Sequence, residues 1–361
     1  MKSNSASVVT FIAFLFAVAC GGPASSAAVH GTPQPVASPG ALACRLPVVG
    51  FIEPTGKGTP DPAGENKGAG GFLDLGNGTY TPVASSDQSY VAAADVWLPV
   101  SPQSISPDGR TYVASRAATK PGQPASTTAL YLVDVRSRNE HLMFTAPDGD
   151  FAFVLSYTSA GIYVETGGAS GSGNTHPLQL FVIDPATGLR RTVAGTEMPA
   201  GATYQAWIKV SDGAAWAMLV GADARDAQAA PGVDLVRLSL ADGTRSTWYS
   251  GSGAFVLIGF DWNGHPILQT SALGAGTSTL VAVMGPKQTS IIEVDGGKFN
   301  VGRGSGVTDA HGMWVGSSDG GVWLYAPAAS FKKVGTVPPQ TGATGVAYDP
   351  HAWRSIAGPC L

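Results

Sequence analysis

The sequence predicts an all-β chain folded as a six-bladed β-propeller, and three observations predict it. First, a Gly-centred turn recurs at a near-constant interval: Ser106-Pro107-Asp108-Gly109, Ser159-Ala160-Gly161, Ser211-Asp212-Gly213, Asp261-Trp262-Asn263-Gly264 and Asp309-Ala310-His311-Gly312. From glycine to glycine the steps are 52, 52, 51 and 48 residues. Periods of this length mark repeat architectures, and blades of antiparallel sheet are the content that fits. Second, the turns separate short apolar runs, with no long amphipathic helical pattern among them. Third, a sixth turn, Asp349-Pro350-His351, is followed by one strand only, while residues 71–75 and 79–83 form a hairpin with no turn unit before it. Joining these ends gives one composite blade, in which N- and C-terminal strands close the ring.

The complete units fall near 89–148, 149–197, 198–250, 251–296 and 297–338. In the first, residues 110–115 alternate after the turn, followed by runs at 129–134 and 140–144. The second has runs at 161–165, 178–183 and 190–193, with Asp184-Pro185-Ala186-Thr187-Gly188 as a hairpin turn. The third has 214–220, 233–240 and 244–249, with Ala241-Asp242-Gly243 between the last two. The fourth uses 255–260, 266–269, 278–284 and 289–294, and the fifth 301–307, 313–316, 321–325 and 331–334. Asp-Gly and Pro-Ala-Thr-Gly are turn signals, so each unit reads as four short hairpin-linked strands. Residues 130–133 and 180–183 are apolar on both faces, as expected of strands covered on both sides by neighbouring blades. Residues 53–70, rich in Gly, Pro and Lys, read as a surface loop. Seven blades remain the alternative if residues 44–70 hold further strand.

Composition bounds the function. Only 13% of the 361 residues are charged and the net charge is −4, against about 25% charged residues in ordinary domains. No basic stretch supports a nucleic-acid partner. Residues 1–19 read as a signal peptide: Lys2 precedes an apolar run at 8–18 that is too short to span a bilayer. Residues 20–42, a Pro/Ser/Ala/Gly mixture, read as a flexible tether. Residues 43–361 are the propeller domain. There are three cysteines. Cys44 and Cys360 sit at the two extremes of the folded region, and in an oxidising compartment they are expected to pair as a disulfide. Two buried free thiols are the alternative.

Several segments resemble known families. Ala17-Val18-Ala19-Cys20-Gly21 resembles a bacterial lipobox, with Ala17 where Leu is usual. The resemblance implies cleavage before Cys20 and lipid on its thiol; ordinary secretory cleavage near Ala19 is the alternative. Ser106-Pro107-Asp108-Gly109-Arg110 before a strand resembles the WD40-like repeat of TolB-type propellers. Residues 311–325 are similar to the repeats of two-component-regulator and streptogramin-lyase-like propellers. The opening Cys44-Arg45-Leu46-Pro47-Val48 and the closing Gly358-Pro359-Cys360 resemble propeller lipoproteins of GC-rich bacteria. These likenesses are repeat signatures over most of residues 44–360. They imply a fold and leave the activity open.

No arrangement of side chains in the sequence specifies a reaction. His265, His311 and His351 each lie in a repeat turn beside Asp261, Asp309 and Asp349, but turns that fan out from an axis do not bring ligands within bonding distance of one ion. Gly168-Ala169-Ser170-Gly171-Ser172-Gly173 lies between strands, not at a strand-to-helix elbow. Residues 317–323 resemble a sialidase Asp-box with one residue missing, a turn-stabilising element. Glu165, Glu197 and Glu293 are scattered over different repeats. Asp223-Ala224-Arg225-Asp226 lacks alternating oxygen ligands. The eight Trp are spread over the repeats and read as packing between blades. The expected protein is a monomeric, non-catalytic binding or scaffold module of the bacterial envelope. It is lipid-anchored to the membrane, faces away from the cytoplasm, and needs no metal or cofactor. Its protein or glycan partner is not readable. An extracellular lyase or hydrolase acting on a polymer is the alternative.

Overall fold

The computed structural model describes residues 42–50, 69–83, 88–118, 127–147, 150–168, 178–199, 202–211, 213–221, 232–251, 255–271, 278–295, 299, 306–327, 330–338 and 354–361. All belong to one compact unit, Pro35–Leu361. The signal segment, Cys20, Asp349, His351 and Trp353 lie outside the described residues.

The strands follow the repeats. β1 (Arg45–Gly50), β2 (Ala69–Asp74) and β3 (Tyr80–Pro82) come first, then a hairpin of β4 (Ser89–Val91) and β5 (Val96–Leu98). β6 (Thr111–Ala118), β7 (Thr127–Asp134) and β8 (Glu140–Thr145) form a three-stranded sheet. Three four-stranded sheets follow. The first is β9 (Asp150–Thr158), β10 (Gly161–Gly168), β11 (Gln179–Ile183) and β12 (Arg190–Thr192). The second is β13 (Ala202–Ser211), β14 (Ala214–Gly221), β15 (Val233–Ser239) and β16 (Arg245–Gly251). The third is β17 (Phe255–Phe260), β18 (Pro266–Ser271), β19 (Ser278–Gly285) and β20 (Gln288–Ile292). β21 (Val294–Asp295) then leads to β22 (Val307–Asp309), β23 (Gly312–Gly316), β24 (Gly321–Tyr325) and β25 (Phe331–Thr336). The last strand, β26 (Arg354–Ile356), returns to the start and pairs antiparallel with β1, Val48 opposite Ile356. The composite blade therefore runs β26-β1-β2-β3, and the ring has six blades.

Three details differ from the expectation. Residues 44–70 do contain an unforeseen strand, β1, but it joins the composite blade and makes no seventh. The unit at 89–148 lacks a regular innermost strand. In its place stand a 3-10 turn, Pro102–Ser104, and a single bridge between Ile105 and Tyr112. Pro102 has no N–H for a ladder and its fixed φ suits the first turn position. The β4–β5 hairpin fills the gap beside the composite blade: Tyr90 N–H donates to the Ala357 carbonyl at 2.8 Å, and the Phe72, Tyr90 and Trp97 rings lie 4.9–5.7 Å apart. Lastly, the run expected at 289–294 divides after Ile292, and β21 pairs in parallel with β25 of the next blade.

Burial explains the patterning. The middle strands are covered on both faces: β23 is buried throughout, and β1 and β11 are buried apart from their first residues. The outermost β12 is exposed throughout. The apolar clusters sit between blades. Trp207, Leu180 and Leu238 join the blade of β9–β12 to that of β13–β16. Trp216, Leu235, Phe255 and Leu268 join the latter to β17–β20. Trp323, Phe331, Ile267 and Leu280 join β17–β20 to β22–β25. Trp314, Leu46, Leu73 and Ile356 join β22–β25 to the composite blade. Leu42, the last residue of the expected tether, is buried in this cluster.

Candidate functional site

The repeat turns are built by their own side chains. Ser106 Oγ donates to Asp108 Oδ1 at 2.7 Å and accepts the Thr111 N–H at 3.0 Å, while Asp108 Oδ1 accepts the Arg110 N–H at 3.1 Å. Gly109 lies at φ +68, in the left-handed region that glycine tolerates. The same lattice recurs at the β23–β24 hairpin: Ser317 Oγ donates to Asp319, Asp319 accepts the Gly321 N–H at 3.1 Å, and Trp323 Nε1 donates to Ser317 Oγ at 3.1 Å.

Beside the Ser106 turn a cleft of about 400 Å³ opens, lined by Ala93, Ala94, Asp108, Arg110, Asp134 and Arg136 among others. The β4–β5 turn supplies its apolar side, and the turns before β6 and after β7 supply two carboxylates and two guanidiniums. The Ser106 hydroxyl, then the Arg110 N–H, hold the Asp108 carboxyl below its usual range. The Ser137 N–H, then its hydroxyl, do the same for Asp134. Both acids are therefore fixed anions. Among the described residues the one acid that Arg110 meets is Asp108, at 3.7 Å, and its side chain is 83% exposed. The site combines opposite charges around a small apolar floor, the arrangement of a polar binding surface. The turn letters were legible in the sequence. The contribution of Ala93 and Ala94 was not, because no periodicity marks a two-strand insert.

The histidine turns stay local. His265 Nδ1 lies 3.0 Å from Asp261 Oδ2, and His311 Nδ1 lies 3.3 Å from Asp309 Oδ1. Among the described residues no group of three or more His, Cys, Asp and Glu side chains is placed to hold a metal. Asp309 does more than order its turn: its Oδ2 accepts Trp314 Nε1 and the Cys360 N–H, both at 2.8 Å. Cys360 is in turn disulfide-bonded to Cys44, with the Cα atoms 5.7 Å apart.

Glu165 alone among the three glutamates is deeply buried, on β10, where it accepts the Trp207 N–H of the next blade at 2.8 Å. Burial pushes its carboxyl up to about 7, opposed by that N–H bond. The unfolded chain releases the same proton near the ordinary value of 4.5. Between these values the folded state holds a proton that the unfolded state has lost, so stability falls as pH rises through this window. A Glu165→Gln variant is expected to be more stable than the wild type at pH 8, by up to about 3 kcal/mol, and equally stable near pH 4. Urea denaturation at both pH values reads this; equal midpoints at pH 8 would contradict it.

No family model matches the sequence, and no curated protein matches it. Solved structures to which the chain is similar include TolB from Acinetobacter baumannii, at 13% identity and TM-score 0.47, over 82% of this chain and 64% of that one. Dipeptidyl peptidase 4 from Porphyromonas gingivalis matches at 12% identity and TM-score 0.41, over 75% and 42%. An α-L-arabinanase from Penicillium chrysogenum, solved with arabinobiose, matches at 12% identity and TM-score 0.41, over 74% and 94%. The chain spans less than two thirds of the length of the first two. By the architecture of its own strands, the chain is a six-bladed β-propeller.

Proposed function

We propose that the protein is a binding module of the bacterial envelope, held outside the cytoplasm by lipid on Cys20, that presents the cleft at Asp108, Arg110, Asp134 and Arg136 to a polar partner. The cleft carries this reading. It sits on short turns of the propeller, and its acids are held ionised by their turns. Acids fixed in this way need no ordering of their own when a partner binds, which lowers the cost of association. The Cys44–Cys360 bond supports an oxidising location, and the Ala17-Val18-Ala19-Cys20 segment supplies the anchor.

One fractionation experiment tests both halves. Wild type is expected in the membrane fraction with its envelope partner retained on it. Cys20→Ala is expected in the soluble fraction. Arg110→Glu/Arg136→Glu is expected to stay on the membrane, fold normally and lose the partner, at least tenfold. Membrane retention of Cys20→Ala would remove the anchor, and full partner retention by the double variant would remove the cleft.

A further inference from the structure

The blade of β13–β16 carries a second polar feature on the face it turns toward β17–β20. In register, Lys209 on β13 lies opposite Trp216 on β14, Trp216 opposite Arg237 on β15, and Arg237 opposite Ser246 on β16. Directly opposed residues of an antiparallel pair share a face, so the four form one row across the blade. That face is the one whose Trp216 and Leu235 pack against Phe255 and Leu268. Arg237 stands over the Trp216 and Trp248 rings, 6.0 and 5.6 Å from their centroids.

The row is rich in donors and holds no carboxylate. Trp216 is 2% exposed, and among the described residues its Nε1 has no hydrogen-bond partner; nor has the buried Oγ of Ser211, two residues along β13 from Lys209. Neither Lys209 nor Arg237 forms an ion pair with an acid among the described residues. Burial lowers the pKa of the Lys209 ammonium. Asp261, which follows β17 in the facing blade, is occupied in its own turn, where it accepts the Asn263 and His265 N–H groups and meets the His265 ring. Buried donors in native proteins almost always find an acceptor, and exceptions point to a missing water or ion. Lys209 and Arg237 flank Trp216 in register, so an anion there would complement both cations as well as the unpaired indole N–H.

We propose that Lys209, Trp216 and Arg237 form an oxyanion-binding site at the boundary of these two blades, taking a phosphate or carboxylate group. Lys209 is largely buried but keeps some exposure on the innermost strand, β13, so the group enters from the ring axis. The ammonium and guanidinium supply charge, and the indole N–H and the Ser211 hydroxyl supply direction. Arg237, already stacked on two rings, has its fork held before the ligand arrives. The site is separate from the cleft, so loss of the envelope partner in the Arg110/Arg136 variant has no bearing on it.

The test uses the full-length protein with ¹⁵N-labelled tryptophan. Inorganic phosphate and acetate are titrated separately against chloride at matched ionic strength, and Trp216→Phe assigns the indole resonance. The Trp216 N–H is expected to shift saturably with one anion or both, and the two titrations tell phosphate from carboxylate. Lys209→Met and Arg237→Met are expected to weaken the apparent affinity at least tenfold. An indole resonance that ignores both anions in the wild type would overturn the site, whatever the variants do. So would unchanged affinity in either Met variant that keeps the wild-type spectrum.

Discussion

Cys44→Ser is expected to destabilise the protein by about 5 kcal/mol, the largest effect of any single substitution considered. The disulfide joins residues 316 apart, and in the chain-entropy account a loop of that length restricts the unfolded chain by roughly this amount. The folded state loses little else by the change, because the seam has its own hydrogen bonds. Arg45 and Leu361 exchange two backbone bonds at 3.2 and 3.0 Å, and Ala357 N–H donates to Pro47 at 2.9 Å. The variant should therefore still fold, with a thermal midpoint lower by roughly 10 °C. Wild type treated with reductant should fall to the same midpoint, and reductant should not move the variant. A wild-type midpoint unmoved by full reduction would show that the bond adds nothing.

Trp314→Ala is expected to cost about 4 kcal/mol. Trp314 is fully buried between the blade of β22–β25 and the composite blade. Its loss empties the centre of that cluster. It also takes from Asp309 one of the donors that hold an acid only 11% exposed, and a buried charged acceptor deprived of a partner adds to the penalty. Trp314→Phe separates the two contributions, since it restores most of the volume and none of the N–H. Chemical denaturation should place Phe between wild type and Ala. If Ala and wild type unfold at the same denaturant concentration, the packing assigned to Trp314 is wrong.

The sequence made the ring legible because its turns need particular residues. Gly312 shows the reason: at φ +134, a Cβ there would lie 2.2 Å from the Tyr325 carbonyl oxygen. Such positions are written in glycine whatever the blade around them does, so their spacing counts blades directly. The strand Arg45–Gly50 was hidden because it is short, contains Pro47 and gains its partner from the far end of the chain. The β4–β5 insert was hidden because it belongs to no repeat. Candidate sites were harder still. The Lys209–Trp216–Arg237 row joins residues from three strands that become neighbours only through register. Glu165 reads as an ordinary strand residue until the next blade covers it. Both depend on what stacks against a strand, and local sequence does not record that.

The composite blade sets the order of events in assembly. Its innermost strand, β26, is made last, and its other three strands are made first. Every other blade draws its strands from one continuous stretch and can form as that stretch emerges. The first three strands must wait, with the edge of β1 unpaired, until the whole chain has been delivered. Ring closure is therefore the last step: a chain that has not yet delivered β26 can hold its other blades formed and still be open at the seam.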